Sequence, residues 1–266
     1  MFFYAVLYYI RNQIKLKFKK IKMKKLLLLF VLSVAFNTTA QESVLLRANY
    51  KKGDTYIVNL DQSQNMGAQG GVDMKMTMSM EVSEASNEKI TTSSNINSIN
   101  MSMLQGGNVM TYDSSTKEED LDEMGKMMSQ QFKPMMQAKI ISTLSTRGEI
   151  LESKVEPSNP MMDQFTKQTK GVSYPEEKVS VGSSWSDEVN QQGMTVKTVY
   201  TVSKIAAGKV YIDVSGTVSG MGTGDVKGKL IVNANSGVQE VLNLNTNINA
   251  GGMEMKITIK STTTKQ

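Results

Sequence analysis

The chain has 266 residues with no cysteine and no histidine, which excludes thiol nucleophiles, disulfide bonds, imidazole or thiolate metal ligands and a Ser-His-Asp triad. Its formal net charge is +5, but residues 1–40 carry eight of the 30 basic side chains and none of the 25 acidic ones. The remaining 22 basic and 25 acidic residues give a net charge of −3, which excludes a nucleic-acid partner recognised through overall charge.

The first 40 residues predict an export signal. Residues 1–22 are apolar and then basic, and we interpret them as an upstream start chosen in error or as an extended basic region. Residues 23–40 have the order of a secretory signal: a short basic start, an apolar run of about a dozen residues, and small residues at Thr38 and Ala40. A membrane span needs about 20 apolar residues, so the run is too short for one. We expect cleavage after Ala40, export to the periplasm or beyond, and no transmembrane segment in the mature chain.

Residues 41–266 predict one β-rich domain made mostly of antiparallel strands. Apolar and polar residues alternate over nine segments, which is the pattern of a strand with one buried face. Gly or Asn between the segments suits tight hairpin turns. The predicted strands are Tyr56–Leu60, Val72–Val82, Ile90–Met103, Ile141–Ser145, Met194–Val202, Val210–Val218, Leu230–Ala234, Val241–Ile248 and Met253–Ile259.

Two segments have a helical spacing instead. Over residues 114–137 the apolar positions recur every three or four residues, and Ser115 with Glu118 predicts a capping box at the helix start. Pro134 is expected to end or kink this helix. A second helix, at about residues 158–170, is predicted to link the two halves of the domain. The fold class is therefore α+β and mostly antiparallel β, with a helical insert packing on one sheet face.

The two halves of the domain resemble each other. KKGDTY resembles VSVGSSW, which aligns Gly53 with Gly182. KMTMSMEVSEASNEKITTSSN aligns without gaps on TVKTVYTVSKIAAGKVYIDVS, which places Val82 on Val202. We interpret the domain as a duplicated β-meander unit in which only the first copy carries the helical insert. The predicted repeats span about 44–155 and about 172–262.

Four segments together resemble a known family: YKKGDTY, the methionine-alternating strand, YPEEKVSVGSSW and GGMEMKITIKST. They resemble an uncharacterised family of exported Gram-negative bacterial proteins, a domain of unknown function. The resemblance covers most of residues 44–262. It implies export and an antiparallel β-rich fold, and it brings no catalytic residues to this chain.

Several short motifs resemble chemical sites but have plainer explanations. Ser86 and Lys89 match the Ser-x-x-Lys string of serine acyl enzymes, yet they fall on a predicted hairpin turn. The glycine spacing of residues 219–228 does not fit a dinucleotide-binding loop and predicts a flexible loop. The acidic residues 113–123 lack the ligand spacing of a calcium loop. The acidic residues to inspect for a carboxylate-dependent enzyme are Asp54, Asp187 and Glu188.

Methionines alternate along one predicted strand, VDMKMTMSMEV, and therefore share one of its faces. Three interpretations are open: a core covered by the helix, an adaptable surface for an apolar ligand or partner, and a Cu(I) site of thioethers. The Cu(I) site is disfavoured, since alternate strand positions lie far apart and the chain has no histidine or cysteine. The candidate ligand-binding residues are Met74, Met76, Met78, Met80, Met101, Met103, Met124, Met128, Phe132, Met253 and Met255.

The sequence favours an exported, non-catalytic binding or carrier protein. Its expected partner is an apolar small molecule or lipid, or another protein of the cell envelope. A structural or surface-interaction module is the alternative, and a carboxylate-dependent enzyme or a Cu(I)-binding protein comes third. No enzymatic activity, cofactor, metal site or nucleic-acid partner is expected.

Overall fold

The alternating segments of the sequence are the strands of one antiparallel sheet. The computed structural model describes residues 42–158, 162, 166, 171–191 and 193–266. The predicted export signal lies outside the described residues. So does most of the predicted linking helix, within which Met162 and Thr166 are helical and buried. The mostly antiparallel α+β fold that the sequence predicted is confirmed.

The sheet has twelve strands, and an α-helix at Glu123–Gln137, α1, packs near it. Its strands follow one another along the sheet in the order β6-β5-β3-β2-β1-β12-β11-β10-β9-β8-β7, and β4 pairs with β3. The first strand therefore lies beside the last, and β1 and β12 pair antiparallel. The strands are β1 Thr55–Asn65, β2 Gly71–Ala85, β3 Lys89–Gln105, β4 Asn108–Asp113, β5 Lys139–Ser145, β6 Ile150–Glu156, β7 Ser184–Gln191, β8 Met194–Ala206, β9 Lys209–Gly220, β10 Thr223–Asn233, β11 Gln239–Ala250 and β12 Met253–Lys265.

All nine predicted segments fall on strands, although β10 begins seven residues before its segment and β12 ends six residues after its own, and three strands were not predicted. They are β4, β6 and β7, which are short and lie at the sheet margins or pair with a single strand in the described part of the chain. In β7 the side chain of Asp187 shares a face with Trp185 and Val189, because alternate residues point the same way. This charge interrupts the apolar alternation on which the prediction depended.

The predicted flexible loop at residues 219–228 is wrong except at residues 221 and 222, since Ser219 and Gly220 belong to β9. Residues from Thr223 onwards belong to β10, and Gly224 and Gly228 lie inside that strand. A side chain at either glycine would collide with the neighbouring strand, since a Cβ at Gly228 would stand 2.1 Å from the carbonyl oxygen of Asn243. Glycine here permits close backbone approach within a strand.

The predicted start of the helical insert is also wrong. The chain continues as β4 to Asp113, and α1 begins only at Glu123, where the Asp122 carboxylate accepts the backbone N–H of Gly125 at 2.7 Å. The helix does not end at Pro134, which lies inside it. Met128 and Phe132 are buried and four residues apart, so they share the face that packs on β3 and β4.

The aligned glycines of the two halves have the same backbone role. The N–H of Gly53 donates to the carbonyl of Val82 at 2.9 Å, and the N–H of Gly182 donates to the carbonyl of Val202 at 2.8 Å. Both glycines have positive φ, at 85° and 89°. A β-bulge follows Val82 in β2 and another follows Val202 in β8. These features support the sequence alignment at these positions.

Candidate functional site

The methionine-bearing face continues across the middle of the sheet. Residues directly opposite each other in neighbouring strands share a face, and the register places Leu60 of β1 opposite Met76 of β2. Gln62 of β1 lies opposite Ile259 of β12, which in turn lies opposite Leu244 of β11. We call this surface, from β2 through β1 and β12 to β11, the inner face.

One part of the inner face is closed by packing. Met76 is buried in a cluster with Ile99 of β3, Tyr112 of β4 and Phe132 of α1, and the rings of Tyr112 and Phe132 are 5.4 Å apart. Met162 is completely buried in the same cluster. A methionine buried in this way stabilises the fold by about 1.5–3 kcal/mol, so this part of the face is a hydrophobic core.

The centre of the inner face is only half-buried. Seven of its apolar side chains are neither covered like Met76 nor fully exposed. They come from four adjacent strands, and Gln62 lies on the same face between Met74 and Ile259. We call them the central strip: Val58, Leu60, Met74, Met78, Leu244, Ile257 and Ile259.

The structure brings seven of the eleven predicted ligand-binding residues into one apolar cluster. Met76, Met128 and Phe132 are buried in it, and the other four are half-buried around it. Those four are Met74, Met78, Met101 and Met103. Only Met74 and Met78 also belong to the central strip.

The other four predicted residues lie elsewhere. Met80 packs with Tyr56 and Val82 at one end of the sheet, and Met124 is exposed on α1. Met253 is exposed at the start of β12. Met255 packs near Val226 and Ile248, and its sulfur lies 3.2 Å from the side-chain nitrogen of Gln64. These four residues therefore lie outside the cluster of seven, each in different surroundings, and do not extend it into the single patch that the sequence suggested.

The central strip contains residues that the sequence analysis did not single out. Leu244, Ile257 and Ile259 belong to predicted strands, and their alternation showed that they share a face. Only the pairing of β1 with β12, the two ends of the domain, places them beside the methionines. That pairing joins residues about two hundred positions apart, and no local pattern specifies it.

Two cavities border the apolar clusters of the domain. One of about 460 Å³ lies beside α1, lined by Ile96, Tyr112, Ser129, Lys133 and Met136 among others. Another of about 490 Å³ lies near the turns of β10, β11 and β12. Its lining combines the apolar Ile248 and Met255 with polar residues, which include Asn65, Thr223, Asp225, Asn247, Asn249 and Lys256.

The three acidic residues chosen for inspection have separate partners. Asp54 accepts a hydrogen bond from the Lys265 ammonium at 2.6 Å, and this contact lowers the pKa of the Asp54 carboxyl. Asp187 accepts the N–H of Glu188, whose own carboxylate pairs with Lys197 at 3.2 Å. No group of three or more acidic residues in the described part of the chain is placed to hold a metal ion.

The Ser86 hydroxyl has a structural role. It accepts the N–H of Lys89 at 3.1 Å within the β2–β3 turn, and it donates to the carbonyl of Lys89 at 3.0 Å. A hydroxyl held by its own turn in this way caps the backbone. The match to the serine acyl enzyme string is therefore explained by turn formation.

Two aromatic residues of the second half, on β7 and β8, pack against each other. Trp185 stacks on Tyr200 with ring centroids 5.4 Å apart, and burial followed by the charge of Asp187 raises the pKa of Tyr200 to about 12. The Trp185 indole nitrogen is buried and donates to no described residue. A phenol with so high a pKa stays neutral at physiological pH, so this surface offers packing and hydrogen bonds rather than a charge.

No known protein family and no curated protein matches the sequence. The resemblance to exported Gram-negative proteins therefore stays an expectation. Among the described helical residues, no helix has the length and apolar character needed to cross a membrane.

Proposed function

We propose that the chain is an exported, non-catalytic protein that binds a flexible apolar ligand on the central strip. The observation that carries the proposal is the half-burial of seven apolar side chains at the centre of the sheet, beside a fully packed core. Met74 and Met78 suit this role, because an unbranched methionine adapts its shape to varied ligands.

The size of the hydrophobic effect favours a long ligand. Covering about 300 Å² of apolar surface gains about 7.5 kcal/mol, and association costs at least about 4 kcal/mol. A small aromatic molecule covers too little of the strip to exceed that cost by much. An acyl chain extended along the strip covers enough, so we propose a ligand with one long hydrocarbon chain.

The absence of enzymatic activity is part of the proposal. The chain has no histidine or cysteine to act as a base or nucleophile. The carboxylates of Asp54, Asp187 and Glu188 each have their own protein partner and do not form a pair. Binding without chemistry is the role that these residues support best.

Ligand binding is tested with a fluorescent acyl probe and native mass spectrometry of the purified protein. We expect a co-purifying apolar ligand, or probe binding that Met78→Gln weakens about ten-fold, the effect of losing about 1.4 kcal/mol of contact. Thr77→Gln is the matched control, because Thr77 lies on the opposite face of the same strand. Absence of both ligand and probe binding would exclude the proposal.

Export is proposed from residues 23–40 and is tested separately. The protein is recovered from the envelope and the medium of expressing cells, and its N-terminus is determined by mass spectrometry. We expect Gln41 as the first residue. A chain that keeps residues 23–40 inside the cell would exclude export.

A surface-interaction module is the second candidate, and one observation favours it. Asn245, Asn247 and Asn249 are exposed on the outer face of β11, and two of them line the cavity of about 490 Å³. Amide side chains of this kind bind polar partners such as carbohydrate or peptide. If Asn247→Ala abolishes a partner interaction and the acyl probe does not bind, this candidate replaces the first.

A further inference from the structure

Five hairpin turns lie together at one end of the sheet. The strand register places the turns β1–β2, β3–β4, β7–β8, β9–β10 and β11–β12 at the same end, while β2–β3, β5–β6, β8–β9 and β10–β11 lie at the opposite end. We call the first group the glycine-rich end. Its turns are residues 65–71, 104–109, 191–194, 220–223 and 250–253.

The two ends differ in charge. None of the five turns of the glycine-rich end contains a charged residue. The turns at the opposite end include Glu88, Arg147, Glu149 and Lys209. Charged side chains lie mostly on the surface of folded proteins, so five adjacent turns without one form a surface of low polarity.

The uncharged turns also present apolar side chains to the outside. The exposed fraction is 73% for Met221, 65% for Val109, 45% for Leu104 and 37% for Met253. Glycines with positive φ form these turns, at 106 and 107 in one and at 251 and 252 in another. They keep the turns tight and leave the apolar side chains as the largest groups.

We propose that the glycine-rich end docks on the surface of a zwitterionic lipid bilayer. The apolar side chains lie on separate turns, and a fluid bilayer accepts each of them without a matched pocket. A protein partner would need a continuous complementary surface of about 800 Å². The five turns themselves carry no cationic residue, so we expect docking without a need for anionic lipid, since binding to anionic lipid relies on basic side chains. This docking goes beyond the proposed ligand binding and does not require it.

A single introduced cysteine tests the contact directly, because the chain has no other. The full chain carries Met221→Cys labelled with a polarity-sensitive fluorophore, and vesicles of phosphatidylcholine are added with or without phosphatidylglycerol. We expect a blue shift of equal size with both lipids and at high salt. Val199→Cys is the matched control, because Val199 is 38% exposed on the opposite face of β8 from the inward-facing Tyr200. Its label should not shift.

A charge at the glycine-rich end should weaken docking. We expect Val109→Asp to lower vesicle affinity, measured by co-flotation, by about ten-fold or more, because a buried valine contributes over about 1.4 kcal/mol. Val199→Asp should change the affinity by less than about two-fold. Circular dichroism and thermal unfolding establish that both variants fold.

Four outcomes would overturn the proposal. They are no shift at position 221, equal shifts at positions 221 and 199, binding that needs anionic lipid and disappears at high salt, and a shift that depends on protein concentration without vesicles. The last outcome would assign this end to self-association. Vesicle binding through the apolar residues 26–36 alone would leave the label at position 221 unshifted.

Discussion

The two halves of the domain share a backbone plan and pack differently. In the second half, Val202, Val210, Ile212, Leu230 and Val232 are all completely or almost completely buried. In the first half, Val82 and Ile90, which align with Val202 and Val210, are equally buried, but Met74 and Met78 further along β2 are only half-buried. Branched side chains hold one rotamer and fill a core, whereas methionine changes shape readily. The comparison shows how one strand arrangement supports both a rigid core and an adaptable surface.

The largest expected effect compares one leucine from each half. Leu230→Ala removes a fully buried side chain and should lower the free energy of unfolding by about 3–5 kcal/mol. Leu60→Ala removes a half-buried one and should cost about 1–2 kcal/mol, because less contact is lost. Chemical denaturation measures both. Equal losses would contradict the distinction between a closed and an open half.

Sequence patterns predict the strands of this fold better than they predict its packing. Alternation identified nine strands because each has one apolar face. It missed β7, where Asp187 occupies an inward position. The pairing of β1 with β12 joins the chain ends, and no local signal indicates it.

The same limit applies to the candidate site. Alternation placed the methionines of β2 on one face, but which of them are covered depends on distant residues. Phe132 of α1 and Met162 close the surface over Met76, while Met78 stays half-buried. Met124 fitted the helical spacing of Met128 and Phe132 and yet is exposed, because α1 begins nine residues later than predicted and Met124 lies in its first turn.

Tyr174 is hydrogen-bonded to one turn in each half of the domain. Tyr174 donates its N–H to the carbonyl of Arg147 at 2.8 Å, and its hydroxyl donates to the carbonyl of Gly237 at 2.9 Å. Tyr174→Phe leaves the buried Gly237 carbonyl without this donor and should cost about 1–3 kcal/mol. Tyr211→Phe, on the outer face of β9, should cost under about 0.5 kcal/mol. Similar losses of unfolding free energy in the two variants would show that the hydrogen bond from Tyr174 to Gly237 contributes nothing to stability.

Substitution of the aligned Gly53 and Gly182 should have a smaller effect on stability, equal at the two positions. A Cβ on Gly53 or on Gly182 would meet no atom within 4 Å, so alanine at either position suffers only from its positive φ. We expect Gly53→Ala and Gly182→Ala each to cost about 1–2 kcal/mol. Thermal unfolding of both variants measures this. Costs that differ by more than about 1 kcal/mol would contradict the equivalence of the two turns.

The smallest effect separates the same two turns by their response to acid. Asp54 accepts the N–H of Lys51, and the aligned Ser183 accepts the N–H of Ser180, so both side chains close the same turn. Only Asp54 is ionisable, and its hydrogen bond to Lys265 is the main cause of its lowered pKa. The pKa of the Asp54 carboxyl is lower in the folded than in the unfolded chain. The stabilisation of the fold by the ionised carboxyl is therefore complete above the unfolded pKa of about 3.9. It is lost as the pH falls below that value towards the folded pKa.

Stability is therefore measured from pH 7 down to pH 2 in the parent chain and in Asp54→Asn. We expect the parent to lose more stability than the variant below about pH 4, because the variant has no carboxylate at this position to protonate. Asp73→Asn, which removes the same charge on the outer face of β2, is the charge-matched control. The contribution is small because Lys265 is more than half exposed, and solvent screens the pair. Identical acid profiles for all three proteins would show that the Asp54 turn differs from its Ser183 counterpart in residue type alone.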